Sequence, residues 1–129
     1  MRSRLIGGSL LVLATLILLT PRMIAAPAVK WAAVNLKTTT VIAGTFVSGP
    51  VVFVHDDARM ARGEPCTSVH RYSTDKGVGE ELVAFHCKPR WGKAPKTFTQ
   101  NTMTKPDGPP VMTVYQFAGD EESHEIPIR

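Results

Sequence analysis

Short apolar runs, separated by turn residues, dominate the chain after residue 28. Residues 34–38 alternate apolar and polar, residues 39–42 are all β-branched, and residues 51–54 are continuously apolar, as in a strand buried on both faces. Further strand candidates lie at 66–73, 81–88, 97–104 and 111–117. The pattern predicts an all-β domain, a small antiparallel sandwich or partly open barrel of about six to seven strands, with the threonine-rich 97–104 segment at an edge.

The first 28 residues follow the three-part plan of a secretory signal peptide. Arg2 and Arg4 form a basic start, residues 5–20 are almost wholly apolar, and Ala26-Pro27-Ala28 supplies a small-residue cleavage site. The apolar run is shorter than the ~20 residues that span a bilayer, which disfavours the alternative of an uncleaved anchor. We therefore predict a signal peptide over residues 1–28 and a single β domain over residues 29–129. Export to the periplasm or the outside medium follows, with no membrane attachment after cleavage.

Removal of the signal peptide changes the electrostatic balance. The whole chain has 15 basic and 11 acidic side chains and a net charge of +4, but Arg2, Arg4 and Arg22 lie in the predicted signal peptide. The domain that remains keeps 12 basic against 11 acidic groups, a net of +1. Nucleic-acid binding rests on a strong basic excess, so no nucleic-acid partner is predicted. An unknown protein or small ligand is the expected partner.

The chain has two cysteines, Cys66 and Cys87, and they fall in neighbouring strand candidates. Setting them opposite each other in an antiparallel hairpin pairs His70 with Val83 and Tyr72 with Glu81, and leaves Gly77 at the tip. An exported protein meets an oxidising compartment, where disulfides persist. The sequence therefore predicts one cross-strand disulfide, which would stabilise the fold by roughly 3 kcal/mol. Ligation of a metal ion and redox chemistry are the alternatives for these two residues.

Nitrogen and soft sulfur donors are spread along the domain. They are His55, Met60, Cys66, His70, His86, Cys87 and His124. Imidazole, thioether and thiolate together suit copper, but adjacent residues of a strand point to opposite faces and a disulfide would remove both thiolates. We therefore predict a non-catalytic binding or interaction module without a cofactor or metal. The alternative is a periplasmic copper-type metal-handling protein, in which His55 and Met60 form the nucleus of the site.

The segment after the apolar run 51–54 is the predicted binding surface. It contains an imidazole, two carboxylates, a thioether and two guanidiniums: His55, Asp56, Asp57, Arg59, Met60 and Arg62. Residues 56–63 are also the one helical candidate of the domain, with an acidic cap at the start and Gly63 at the end. Under the alternative interpretation, the carboxylates only cap the turn, Met60 packs on the core and both arginines are solvated.

Two further patterns bear on function. Ser68 and His70 share one face of a strand, but no nucleophile elbow or glycine-rich oxyanion loop accompanies them, so no catalytic residue is predicted. The cationic segment 88–96, with Trp91, matches the charge of the acidic segment 120–125. We predict that these two segments lie close together in the fold.

Overall fold

The computed structural model describes residues 28–129, which form eight strands and one short helix. The elements are β1 Val29–Ile42, β2 Thr45–Asp56, α1 Asp57–Ala61, β3 Thr67–Ser73, β4 Gly77–Phe85, β5 Lys88–Trp91, β6 Thr99–Met103, β7 Val111–Gln116 and β8 Glu122–Glu125. All eight strands belong to one open sheet of order β4-β3-β2-β1-β7-β8-β5, and β6 pairs with β7. The all-β prediction is confirmed, with eight strands rather than six to seven.

A long antiparallel hairpin, β1–β2, forms the centre of the sheet. Its turn is Ala43-Gly44, where both residues have positive φ (46° and 83°), as a two-residue hairpin turn requires. Ser48-Gly49-Pro50, although its residues are typical of a turn, lies inside β2. Gly49, with φ of 80°, sits opposite Leu36, where the register of the two strands becomes irregular. A glycine with positive φ here bends a strand without ending it.

The β3–β4 hairpin pairs differently from the predicted register. Thr67 lies opposite Phe85 and Val69 opposite Val83. One register shift then brings His70 opposite Glu81, and a second brings Tyr72 opposite Val78. Gly79 allows this irregularity, since a Cβ there would lie 2.7 Å from the carbonyl oxygen of Arg71. The prediction that Cys66 and Cys87 are direct cross-strand partners is wrong. Both cysteines lie just outside the paired strands, Cys66 before β3 and Cys87 between β4 and β5.

The core forms where the two halves of the sheet meet. A single parallel pair, Val41–Val111, joins β1 to β7 and so connects the two halves of the sheet. Phe53 of β2 and Phe85 of β4 both contact Tyr115 of β7, with ring centroids 5.2 and 6.5 Å apart. Residues from both halves are thus buried together, and their apolar surface supplies the main driving force for folding.

Three local predictions are confirmed. Asp56 caps α1 by accepting a hydrogen bond from the backbone N–H of Ala58. Strand β6 pairs only with β7 and forms an edge. The cationic and acidic segments meet as the antiparallel pair β5–β8, where Arg90 forms a 2.7 Å ion pair with Glu125.

The predicted signal peptide lies outside the described residues, except for Ala28. Among residues 28–129, no helix is long and apolar enough to cross a membrane.

Candidate metal centre

Two buried histidines and the two cysteines meet at one end of the core. His55 is near the end of β2 and lies opposite Thr67, the residue after Cys66. His124 is in β8 and lies opposite Tyr115 of β7. Cys87 follows β4 and precedes β5, which pairs with β8. Strand pairing therefore brings together four side chains that are far apart in the sequence.

Three of these side chains, those of His55, Cys66 and Cys87, have donor atoms close enough to share one ion. The Sγ atoms of Cys66 and Cys87 are 3.1 Å apart and are not bonded to each other. One ring nitrogen of His55 lies within 4.8 Å of both sulfurs. Nδ1 of His124 is 3.4 Å from Sγ of Cys87, and the two imidazole rings are 4.4 Å apart between centroids. We call His55, Cys66, Cys87 and His124 the His–Cys cluster.

Both imidazoles are held in the neutral form. His55 is 2% exposed and His124 is fully buried. Burial lowers the pKa of His55, although Asp57 opposes this effect. Burial together with the neighbouring His55 lowers the pKa of His124 to about 4. A neutral imidazole is the form that binds a metal ion.

Each histidine also has a buried nitrogen with nothing to bind. Nδ1 of His55 faces the carboxylate of Asp57 at 3.4 Å. Nε2 of His55 and Nε2 of His124 have no hydrogen-bond partner among the described residues, although both are inaccessible to solvent. Leaving a buried polar atom unpaired costs on the order of 1–3 kcal/mol. Two such atoms, in histidines whose rings lie 4.4 Å apart, are a feature that the stability of the fold does not explain.

The two cysteines differ in burial, since Cys66 is buried and Cys87 is partly buried. Burial and the contact with Cys66 raise the pKa of Cys87 to about 12, whereas a hydrogen bond from Thr67 acts in the opposite direction. In the metal-free cluster, Cys87 is therefore a protonated thiol at neutral pH. A bound metal ion would replace the thiol proton, as thiolate ligation requires.

A hydrogen bond between two buried hydroxyls lies next to the His–Cys cluster. The side chain of Thr67 bonds the phenol of Tyr115, and both residues are fully buried. Burial also raises the pKa of Tyr115, which keeps the phenol protonated. The Tyr115 ring stacks on His124 with a centroid distance of 4.8 Å and an angle of 17° between the ring planes. The orientation of His124 is thus fixed by packing.

The predicted binding segment is divided between the interior and the surface. His55 is buried in the His–Cys cluster, while Met60 lies on α1 and is 47% exposed. Asp56 caps the helix and Asp57 faces His55. Both guanidiniums have carboxylate partners, since Arg62 bonds Glu64 and Arg59 lies 3.8 Å from Glu81.

The other histidines take no part in the cluster. Nε2 of His70 lies 2.9 Å from the hydroxyl of Ser68, and its Nδ1 lies 3.0 Å from the carbonyl oxygen of Gly79. Ser68 is 2% exposed, so its hydroxyl has no access to a substrate. His86 is exposed.

Sequence reasoning counted both His55 and His124 among the possible metal donors, but it placed neither of them with the cysteines. The available signal was the charge match between segments 88–96 and 120–125. Pairing those segments brings His124 next to Cys87. Comparison with known proteins adds no assignment: the chain matches no protein-family model, and no curated protein or solved structure matches it.

Proposed function

We propose that the protein is an exported, non-catalytic β domain that binds one thiophilic metal ion, Zn²⁺ or Cu⁺, through His55, Cys66 and Cys87. The observation that carries the proposal is the convergence of three donor atoms within 4.8 Å of one another in a buried site. A thiophilic ion would turn the unpaired Nε2 of a buried histidine into a ligand.

The donor set selects the class of ion. Thiolate ligands favour Zn²⁺ and Cu⁺, and imidazole suits zinc and copper as well. Calcium and magnesium prefer oxygen donors, whereas the His–Cys cluster offers only nitrogen and sulfur atoms. This proposal keeps the metal-handling interpretation of the sequence but changes the ligands. The two cysteines take the place of Met60 beside His55.

His124 is the natural fourth ligand. Its Nδ1 already lies 3.4 Å from Sγ of Cys87. Two thiolates and two imidazoles form a tetrahedral set that is typical of structural zinc sites. Asp57 would then act on His55 from outside the ligand set, because its carboxylate faces Nδ1 and orients the ring.

The second candidate function is an interaction module that is stabilised by a Cys66–Cys87 disulfide, without a metal ion. The proximity of the sulfurs, at 3.1 Å, favours it. Export would place the protein where such a bond persists. The two candidates make opposite predictions for the thiols, which are ligands in the first and are consumed in the second.

Metal titration of the reduced protein tests the proposal. Purified exported protein is reduced, freed of metal with a chelator, and titrated with Zn²⁺, Cu⁺ or Co²⁺ in competition with a chromophoric chelator. We expect one ion per chain, and Co²⁺ should give sulfur-to-metal charge-transfer absorption. His55→Gln, Cys66→Ser and Cys87→Ser should each weaken binding by roughly tenfold or more.

His86→Gln is the matched control, because His86 is exposed and adjacent to Cys87. It should bind metal like the unmodified protein. The proposal is wrong if the folded, reduced protein binds none of the three ions. It is also wrong if the His55→Gln and His86→Gln variants bind with equal affinity.

A further inference from the structure

The distance between the two sulfurs of the His–Cys cluster falls between the distances expected for a disulfide and for a shared metal ion. A disulfide has sulfurs about 2.05 Å apart, whereas two sulfurs bound to one tetrahedral Zn²⁺ at ~2.3 Å lie roughly 3.8 Å apart. The observed separation is 3.1 Å. Either state therefore needs a movement of only about 1 Å or less, which side-chain rotation near the ends of strands can supply.

The two cysteines differ in access to solvent. Cys66 is 3% exposed, whereas Cys87 is partly exposed in the connection between β4 and β5. Thiol–disulfide exchange requires in-line approach of an external sulfur, so access decides which thiol reacts first. The exposed fraction assigns the first reaction to Cys87 and leaves Cys66 to react only within the chain.

We propose that the cysteine pair is a redox gate on the metal site, in which Cys87 exchanges with an external disulfide and Cys66 then closes the internal bond. This inference rests on the proposed metal site. It adds the order of the two reactions and their effect on the metal ion. The co-reactant is a low-molecular-weight or protein disulfide, R–S–S–R.

The reaction has two steps. Cys87 is a thiolate in the zinc-loaded protein, and in the zinc-free protein its thiol first loses a proton to solvent. The thiolate attacks one sulfur of R–S–S–R, which forms the mixed disulfide Cys87–S–S–R and releases one R–S⁻. The Cys66 thiolate then attacks Sγ of Cys87, which forms the Cys66–Cys87 bond and releases the second R–S⁻. Two electrons pass from the cysteine pair to the external disulfide.

Closure of the disulfide removes two ligands from the metal ion. Only His55 and His124 remain, and two imidazoles without thiolates are a much weaker set for a thiophilic ion. The disulfide-stabilised domain and the metal-binding domain are then two states of one protein. Oxidation releases the ion and reduction restores the site.

Oxidised glutathione is a suitable probe. Zinc-loaded and zinc-free protein are incubated with it, released Zn²⁺ is followed with a chromophoric chelator, and adducts are identified by intact mass and peptide mapping. We expect one Zn²⁺ released per internal disulfide formed. The Cys66→Ser variant should accumulate glutathione on Cys87, at least about tenfold faster than Cys87→Ser accumulates it on Cys66.

Cys66→Ala and Cys87→Ala repeat the comparison without a hydroxyl, in case serine disturbs the buried site. Equal rates of adduct formation on the two single-cysteine variants would overturn the assigned order. Retention of Zn²⁺ after complete disulfide formation would overturn the gate. In zinc-free protein the adducts are followed by intact mass alone. This part of the experiment therefore tests the order of the two cysteine reactions even if the protein binds no metal and the proposed function fails.

Discussion

The hydrogen bond between Thr67 and Tyr115 offers a stability test of the site's architecture. Both side chains are fully buried, and among the described residues the Tyr115 hydroxyl has Thr67 as its hydrogen-bond partner. Tyr115→Phe removes the phenol hydroxyl and leaves the Thr67 hydroxyl with Cys87 as its remaining partner. Thr67→Val removes the other and leaves the phenol buried and unpaired. Each single substitution should therefore cost about 1–3 kcal/mol.

The variant with both Thr67→Val and Tyr115→Phe should lose less stability than the sum of the losses in the two single variants. With both hydroxyls gone, two apolar groups of similar shape face each other, which is nearly neutral in comparison with an unpaired polar group. We expect a coupling energy of about 1–2 kcal/mol from the double-mutant cycle. The measurement is urea denaturation of the reduced, metal-free protein, followed by fluorescence.

Tyr72→Phe is the matched control for loss of a phenol hydroxyl. Tyr72 is 42% exposed, so Tyr72→Phe should change the free energy of unfolding of the protein by less than about 0.5 kcal/mol. Additive costs for Thr67→Val and Tyr115→Phe would contradict the reasoning, because the two hydroxyls would then not depend on each other. A Tyr115→Phe variant as stable as Tyr72→Phe would contradict it too.

Three further predictions concern the fold and the surroundings of the site. In metal-free protein, the free energy of unfolding should be highest above pH 6.5 and should fall as the pH drops toward 4. The reason is that His124 takes up a proton near pH 6.5 in the unfolded chain but only near pH 4 in the folded one. A pKa lowered from 6.5 to about 4 corresponds to about 3 kcal/mol. Denaturation at a series of pH values measures this, and stability that rises through that window would refute it. Gly79→Ala should cost about 1–3 kcal/mol, because its Cβ would meet the Arg71 carbonyl oxygen at 2.7 Å, whereas Gly92→Ala, with nothing within 4 Å, should be nearly neutral. Equal unfolding midpoints for the two alanine variants would count against that close approach. Asp57→Asn should weaken Zn²⁺ binding by roughly tenfold, because Asp57 orients the His55 ring, while Asp107→Asn at an exposed position should leave the affinity unchanged. Competition titration measures both affinities. Two unchanged values would rule out the role of Asp57.

Local patterns predicted much of the fold because they report local physics. The apolar run at 51–54, the cap at Asp56 and the threonine-rich edge strand each follow from residues that are adjacent in sequence. The register of β3 and β4 could not be predicted in this way. The shifts at His70 and the close approach at Gly79 depend on how the strands twist across each other.

The candidate site shows the same limit. The His–Cys cluster joins residues of β2 and β8 with two cysteines that lie just before β3 and just after β4. No spacing rule connects Cys66 with His124, because tertiary pairing brings them together. The predicted nucleus of His55 and Met60 relied on closeness in sequence. In the fold, the alternation of a strand buries His55, and α1 leaves Met60 47% exposed.

The most direct test of the metal-binding proposal is the state of the cluster in protein purified from its native host. Native mass spectrometry should be combined with metal analysis and alkylation of thiols, all without added metal or reductant. The account predicts chains that carry one Zn²⁺ or Cu⁺ with two thiols that become alkylated once the metal is removed, and metal-free chains in which Cys66 and Cys87 are oxidised. A population with two free thiols and no metal ion would contradict it.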